Sequence, residues 1–185
     1  MKFQSGLITA ALLATAGLAG AADNHSAPLP NTDAGLAENV RHAIAMYPYY
    51  SIWDDVAFDA SEGTVHLTGE VNIPVKKSDI DKIVRNVPGV KSVEDEIRVL
   101  PLSPNDDRLR LQVARAIYGD PTMLRYAMQP LKTIHIIVEN GHVTLTGVVS
   151  SDFDKQMAAT RASMAGMSFG TIDNQLQVVR PSKKS

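Results

Sequence analysis

The segment Gly63-Thr-Val-His-Leu-Thr-Gly-Glu-Val71 identifies the architecture, because the chain repeats it as Gly141-His-Val-Thr-Leu-Thr-Gly-Val-Val149. Six of the nine positions are identical in the two copies. Apolar and polar residues alternate in both, which is typical of a half-buried β-strand. A glycine-containing turn sequence precedes each copy, Ala60–Gly63 in the first and Glu139–Gly141 in the second. Each copy therefore predicts the second strand of a β-hairpin.

Two further pairs of segments flank this motif in the same order. Val40–Ile44 matches Val113–Ile117 upstream, and Val93–Val99 matches Ile172–Val178 downstream. The offset between the copies changes from 73 to 78 to 79 residues, so the insertions fall in connecting loops. Three matched blocks in one order indicate a tandem duplication.

Each copy has the pattern helix, strand, strand, helix, strand. The first helix of each carries an apolar stripe, and Ser103-Pro104 begins the second copy with a cap followed by a proline at the first helical position. The predicted fold class is α+β, with two tandem αββαβ domains over residues 32–100 and 103–180. Each domain is expected to be a three-stranded mixed sheet covered on one face by two helices.

The second helix of each copy is predicted over about Pro74–Asn86 and Ser151–Ala165. In the first of these, Lys76 is among the residues expected to face water. In the other, the expected apolar side consists of Phe153, Met157, Thr160 and Met164. Domains this small bury only about 60% of the surface of their unfolded chains, so the two copies are expected to pack together, with Leu100 and Leu102 as candidate contacts.

The N-terminus has the pattern of a secretory signal peptide. Lys2 precedes an apolar run from Gly6 to Leu18, and Ala19-Gly-Ala21 forms a small-residue cleavage site. Cleavage after Ala22 fits nearly as well, and a retained N-terminal anchor is the alternative. The prediction is a signal peptide at 1–21, a flexible leader at 22–31, a tail at 181–185 and a periplasmic protein without a transmembrane span in its mature chain.

Composition excludes several kinds of site. The chain has no cysteine, which rules out thiol nucleophiles, cysteine-based metal sites and a lipidated N-terminal cysteine. Its net charge is −2, and removal of residues 1–21 deletes one positive charge and no negative one. That balance argues against nucleic acid as a partner, since such binding needs a concentrated basic face.

Chemistry-bearing motifs are missing from the sequence. The five histidines have no metal-ligand spacing, and no nucleophile elbow, phosphate loop or dinucleotide fingerprint occurs. The paired acids, such as Asp54-Asp55 and Asp106-Asp107, lie where carboxylates usually serve a helix dipole or solubility. The prediction is a protein without enzymatic activity, cofactor or metal.

Two aromatic and methionine-rich loops, each between a first helix and a first strand, are the candidate contact sites. Tyrosine and tryptophan suit protein interfaces and lipid headgroup layers, and methionine adapts to irregular surfaces. The alternative is that these side chains close the ends of two small cores or form the contact between the copies. The predicted membrane or partner contacts are Tyr49, Tyr50 and Trp53 in the first loop and Tyr118, Met123, Leu124, Arg125, Tyr126 and Met128 in the second.

Taken together, these features resemble the BON domain, a bacterial envelope module. The resemblance rests on the helix stripe, the duplicated Gly-x-Val-x-Leu-Thr-Gly-x-Val strand, Pro88-Gly-Val-x-x-Val93, Asp120-Pro121 and the closing strands around Ile97 and Leu176. It covers nearly all of the chain after residue 31. The sequence departs from the family pattern at 165–169, where Ala-Gly-Met-Ser-Phe replaces the usual Pro-Gly-Val turn.

The resemblance implies an αββαβ fold, a periplasmic location and a role in binding phospholipid or maintaining the envelope under osmotic and other stress. The function expected from it is non-enzymatic binding of phospholipid headgroups at a membrane surface. The alternative is a protein-interaction or chaperone-like module whose partners are periplasmic or outer-membrane proteins.

Overall fold

The computed structural model of the protein describes residues 33–165 and 172–179. These residues form two αββαβ units in tandem, which confirms the predicted α+β class. The predicted signal peptide, leader and C-terminal tail, and most of the atypical turn at 165–169, lie outside the described residues.

The first unit begins with a helix whose apolar side covers the sheet. Leu36, Val40 and Ile44 are its buried apolar residues, at the spacing of one helical face. The elements of this unit are α1 (Asp33–Ala45), β1 (Asp55–Ser61), β2 (Thr64–Val71), α2 (Pro74–Arg85), β3 (Ser92–Asp95) and β4 (Arg98–Val99).

The second unit begins as the sequence predicts. The Ser103 side chain accepts a hydrogen bond from the backbone N–H of Asp106, and Pro104 occupies the first helical turn. Its elements are α3 (Pro104–Tyr118), a 3-10 turn (Pro121–Met123), α4 (Leu124–Ala127), β5 (Ile134–Glu139), β6 (His142–Val149), α5 (Asp152–Ala165), β7 (Ile172–Asn174) and β8 (Gln177–Val178).

Both sheets have the hairpin strand at their centre. β2 pairs antiparallel with β1 and parallel with β3 and β4, and β6 has the same relation to β5, β7 and β8. The mixed sheet is as predicted, but its third strand is divided into two short segments. The division lies opposite Gly69 and Gly147, whose φ angles of +103° and +100° interrupt the regular pairing of the central strand.

Both interior glycines are required by close backbone approach. A Cβ atom at Gly69 would lie 2.1 Å from the carbonyl oxygen of Asp55, and one at Gly147 would lie 2.1 Å from that of Thr133. No side chain larger than hydrogen fits such a position without displacing the neighbouring strand. The repeated glycine in the duplicated motif is therefore a packing requirement.

The second helices differ from their predicted orientation. Lys76 is buried, with 4% of its surface exposed, so its expected position in solvent is wrong. On α5 the buried residues are Asp154, Ala158 and Ala162, while Phe153 and Met164 are 61% and 60% exposed. Met157 packs against the core as predicted, whereas Phe153 and Met164 point outward and two alanines take the buried positions.

The two units contact each other through the loop that precedes β1. Ile52 and Trp53 pack against the core of the second unit, and the backbone N–H of Ile136 donates to the carbonyl of Ile52 at 2.7 Å. Arg98 pairs with Glu139 across the same junction at 3.4 Å. The expected packing of the copies is present, but Leu102 takes no part in it, since 87% of its surface is exposed.

Candidate functional site

The candidate site is built where the loop after α3 meets the start of α5. The carboxylate of Asp154, which is fully buried, joins the two segments. It accepts hydrogen bonds from Tyr126 Oη at 2.8 Å and Ser151 Oγ at 2.7 Å, and it forms an ion pair with Arg125. Tyr126 Oη in turn accepts from the backbone N–H of Ser150 at 2.8 Å. The loop is thereby held rigidly against the end of α5.

Electrostatics favour the charged form of this carboxylate. Burial alone would raise the pKa of Asp154, but the hydrogen bonds from Ser151, Tyr126 and Arg125 outweigh burial and hold the pKa below its usual value. Asp120 at the other end of the loop also has a lowered pKa, because the hydroxyl and backbone N–H of Thr122 donate to it and Arg161 lies beside it. Both acids are structural anchors of the loop.

Two of the predicted contact residues are internal. Met123 and Tyr126 are 0% and 1% exposed, and both belong to the core of the second unit, so their assignment to a contact surface is wrong in this structure. Tyr118 is half-buried, and its hydroxyl donates to the carbonyl of Ile134 at 2.5 Å. These side chains are buried because a small domain uses the large side chains of its longest loop to complete its own core, which is the alternative that the sequence also allows.

Other residues of the loop remain on the surface. Leu124 is 50% exposed, Met128 76% and Leu131 58%. Phe153 on α5 is 61% exposed. It is next in sequence to Asp154, and Leu124 is next to Arg125, so the ion pair between Asp154 and Arg125 joins the segments that contain Phe153 and Leu124. We call Leu124, Met128, Leu131 and Phe153 the apolar group of the second unit.

The first-unit loop divides in the same way. Tyr49 is 70% exposed. Trp53 is half-buried against the second core, and Tyr50 is half-buried with its ring centroid 5.6 Å from that of His135. Burial raises the pKa of Tyr50 to about 12, although its hydroxyl accepts a hydrogen bond from the N–H of Val56. Tyr50 and Trp53 therefore join the units. Of the three only Tyr49 is mostly exposed, with its ring centroid 5.8 Å from that of Tyr47.

A cleft of about 370 Å³ lies between the two units. Residues of both units line it, including Tyr50, Ile52, Leu131, Lys132 and His135. Its volume is within the range of small-ligand sites, and domain junctions are a common location for such sites.

Several polar residues with structural roles were not found from the sequence. Asp54 and Lys76 form a buried ion pair with Oδ2 and Nζ 2.6 Å apart. Asp154 was also missed, although Ser151-x-x-Asp154 has the spacing of a capping box that would have identified it. The Asp54–Lys76 pair leaves no local signal, because its members are 22 positions apart.

The candidate binding sites of the protein are the exposed apolar group and the cleft between the units. Within residues 33–165 and 172–179, no cluster of three or more histidine and acidic side chains could hold a metal ion. None of the helices described is long and apolar enough to cross a bilayer.

Comparison with known proteins gives one family. The BON domain model matches the chain twice, over residues 32–101 and 105–180. A search of curated proteins gives no match.

Two solved structures of CdsD, a structural protein of the type III secretion system of Chlamydia trachomatis, are similar to parts of the chain. The C-terminal domain of CdsD shares 18% identity over 78% of this chain and 97% of its own, with a TM-score of 0.28. The second CdsD structure shares 17% identity over 80% of this chain and 94% of its own, again with a TM-score of 0.28. These low scores support no inference about this chain.

Proposed function

This chain belongs to the BON domain family, and from that premise we propose that it is a non-enzymatic periplasmic protein that binds phospholipid membrane surfaces through its second unit. BON domains are generally binding modules of the periplasm or the membrane, and no catalytic family is indicated for this chain. That the ligand of this protein is a phospholipid surface goes beyond what family membership supports.

The observation that carries the proposal is the apolar group of the second unit. Leu124, Met128, Leu131 and Phe153 are each at least half exposed. Large apolar side chains that are gathered on one surface commonly mark a protein or membrane contact, and the ion pair of Arg125 with Asp154 brings the segments of Leu124 and Phe153 together. Burial of one such side chain in an interface contributes about 1.5–3 kcal/mol when it is complete, so a few half-buried residues give reversible binding.

Basic residues lie within the same segment. The side chain of Arg125 is 54% exposed, and Lys132 follows Leu131 directly. A basic residue near an anionic membrane surface contributes about 1 kcal/mol. Since Arg125 already pairs with Asp154, its contribution is smaller, and the apolar residues provide most of the binding.

Vesicle flotation tests this proposal. Wild-type protein should float with vesicles that contain phosphatidylglycerol, and the triple variant Leu124→Asp, Met128→Asp, Phe153→Asp should remain in the dense fraction. The matched control replaces three exposed apolar residues elsewhere, Leu102→Asp, Val75→Asp and Val179→Asp, and so makes the same change in net charge. If both triple variants lose flotation to the same extent, net charge and not the apolar group governs binding, and the proposal fails.

Export and stress protection complete the proposal. The signal peptide at 1–21 should be removed, so that N-terminal sequencing of the protein from a periplasmic extract gives a chain that begins at Ala22 or Asp23. Loss of the gene should sensitise cells to detergent and high osmolarity, and the control triple variant should restore growth where the apolar-group variant does not. Equal rescue by both would separate the stress role from membrane binding.

A further inference from the structure

The two hairpins differ at their outer edges. β1 and β5 each pair with one strand only, so one side of each strand lies at the edge of its sheet. The N–H of Val56 donates to Tyr50 Oη at 3.2 Å, which places it on the side away from β2. Because backbone groups alternate in direction along an antiparallel strand, Phe58 and Ala60 also direct their N–H and C=O groups outward.

At each of the same three positions in β5, one outward backbone group has a hydrogen-bond partner. Ile134 accepts from the Tyr118 hydroxyl at 2.5 Å, and Val138 accepts from Arg110 Nη2 at 2.6 Å. Between them, Ile136 donates to the carbonyl of Ile52 in the first unit. Side chains of α3 and the neighbouring unit thus bond to the edge of the second sheet at all three positions.

The first sheet lacks these closing groups. With the 73-residue offset of the first helices, Ala37 corresponds to Arg110 and Ala45 to Tyr118. A methyl group can neither reach the strand edge nor donate a hydrogen bond. Among the residues that the structure describes, no group is seen to bond to the outward backbone of Phe58 or Ala60. An open edge of this kind pairs readily with another extended chain.

The side chains on the two faces of β1 indicate which residue types an added strand would have on each of its faces. Val56, Phe58 and Ala60 pack towards the first core, with the Arg41 guanidinium 5.8 Å from the centre of the Phe58 ring. The facing residues of an added strand would therefore meet an apolar surface bordered by one cation. Asp55 and Asp59 project on the opposite face, where Asp59 is exposed. A second copy of β1 would place two more carboxylates on that face, which like-charge repulsion disfavours.

We propose that the outer edge of β1 binds an extended segment of a partner protein, which adds a strand to the first sheet. The segment has apolar residues on one face and lysine or arginine on the other, to match the core side of Phe58 and the carboxylates of Asp55 and Asp59. This mode of recognition combines main-chain hydrogen bonds with alternating side-chain contacts. It is a protein-binding surface on the first unit, distinct from the apolar group of the second.

Amide hydrogen exchange on the full chain tests the proposal. In the free protein the amides of Phe58 and Ala60 should exchange fast, and that of Phe58 faster than the amide of its counterpart Ile136, which donates to the Ile52 carbonyl. A blocked nine-residue peptide of alternating valine and lysine should protect both fast amides, and the same peptide with glutamate for lysine should protect neither. Protection of Phe58 and Ala60 in the free chain, whether by its own residues or by dimerisation, would overturn the proposal.

Two variants separate strand addition from general charge attraction. Ala60→Pro removes one outward N–H at an edge position that tolerates proline, and it should weaken peptide binding roughly fivefold, whereas Ala60→Ser should leave binding unchanged. Asp59→Lys should favour the glutamate peptide over the lysine peptide. Circular dichroism verifies that each variant is folded. Unchanged peptide affinity in a folded Ala60→Pro variant together with an unaltered preference in Asp59→Lys would refute the proposal.

Discussion

The buried ion pair of Asp54 and Lys76 allows the sharpest prediction about stability. Their side chains are 0% and 5% exposed, with Oδ2 and Nζ 2.6 Å apart. Replacement of Asp54 by alanine leaves the ammonium group with one described partner, Ser51 Oγ at 3.1 Å. An uncompensated buried charge of this kind costs about 3–5 kcal/mol. We therefore expect Asp54→Ala to lower the free energy of unfolding by about 4 kcal/mol.

The opposite replacement should be milder. In Lys76→Met the Asp54 carboxylate keeps three donors, the N–H and hydroxyl of Ser51 at 2.9 and 2.7 Å and the N–H of Asn72 at 3.0 Å. With these hydrogen bonds in place, the expected loss is about 2 kcal/mol. The double variant should be more stable than Asp54→Ala alone, because it contains no buried ammonium group.

Urea denaturation is the assay. The chain has a single tryptophan, Trp53, which adjoins Asp54 in sequence, so its fluorescence follows unfolding at the site itself. Lys82→Met is the control, since Lys82 lies on the exposed side of the same helix and its replacement should change stability by less than about 0.5 kcal/mol. If Asp54→Ala lies within about 1 kcal/mol of wild type at an unchanged denaturant slope, the ion pair is not buried as described.

Two further predictions concern the second unit. Gly147→Ala should destabilise it by about 2 kcal/mol or more, because the new Cβ would lie 2.1 Å from the Thr133 carbonyl oxygen at a φ of +100°. The control is Gly141→Ala, whose Cβ would meet no atom within 4 Å and which should lower the melting temperature less. The lowered pKa of Asp154 means that its stabilisation is complete above about pH 4, the ordinary aspartate value, and is lost as pH falls through the lowered pKa. The melting temperature of Asp154→Asn, measured from pH 7 to pH 3, should accordingly fall less steeply with acidity than that of wild type; parallel curves would contradict this.

Large side chains of the candidate site were predicted least well. The segment 118–128 contains enough aromatic and methionine residues either to complete a core or to form a contact surface, and composition alone does not distinguish the two. The structure uses Met123 and Tyr126 for the core and leaves Leu124 and Met128 outside. The difference arises from helical phase in a turn too short to show a periodic pattern.

The buried side of helix α5 was predicted incorrectly for a related reason. The spacing of its large apolar residues predicts that they lie on one side of the helix and face the core. The structure buries Ala158 and Ala162 and packs Met157 against the core, while Phe153 lies outside. Which side of a helix is buried depends on how it packs against its neighbours, a tertiary property that the sequence of the helix does not encode.

Comparison of the chain with itself shows the duplication, and short-range physics accounts for the other features that were predicted correctly: the hairpins with their glycine turns, the strand alternation and the capped start of α3. Each of these depends on residues a few positions apart. The packing of the whole molecule sets which charges are buried, as in Asp54 with Lys76. It also gives the edge of the second sheet its partners, while within the described residues none is seen for the outward groups of Phe58 and Ala60. Those features depend on groups tens of residues apart in the chain, whose meeting is set by how the elements pack.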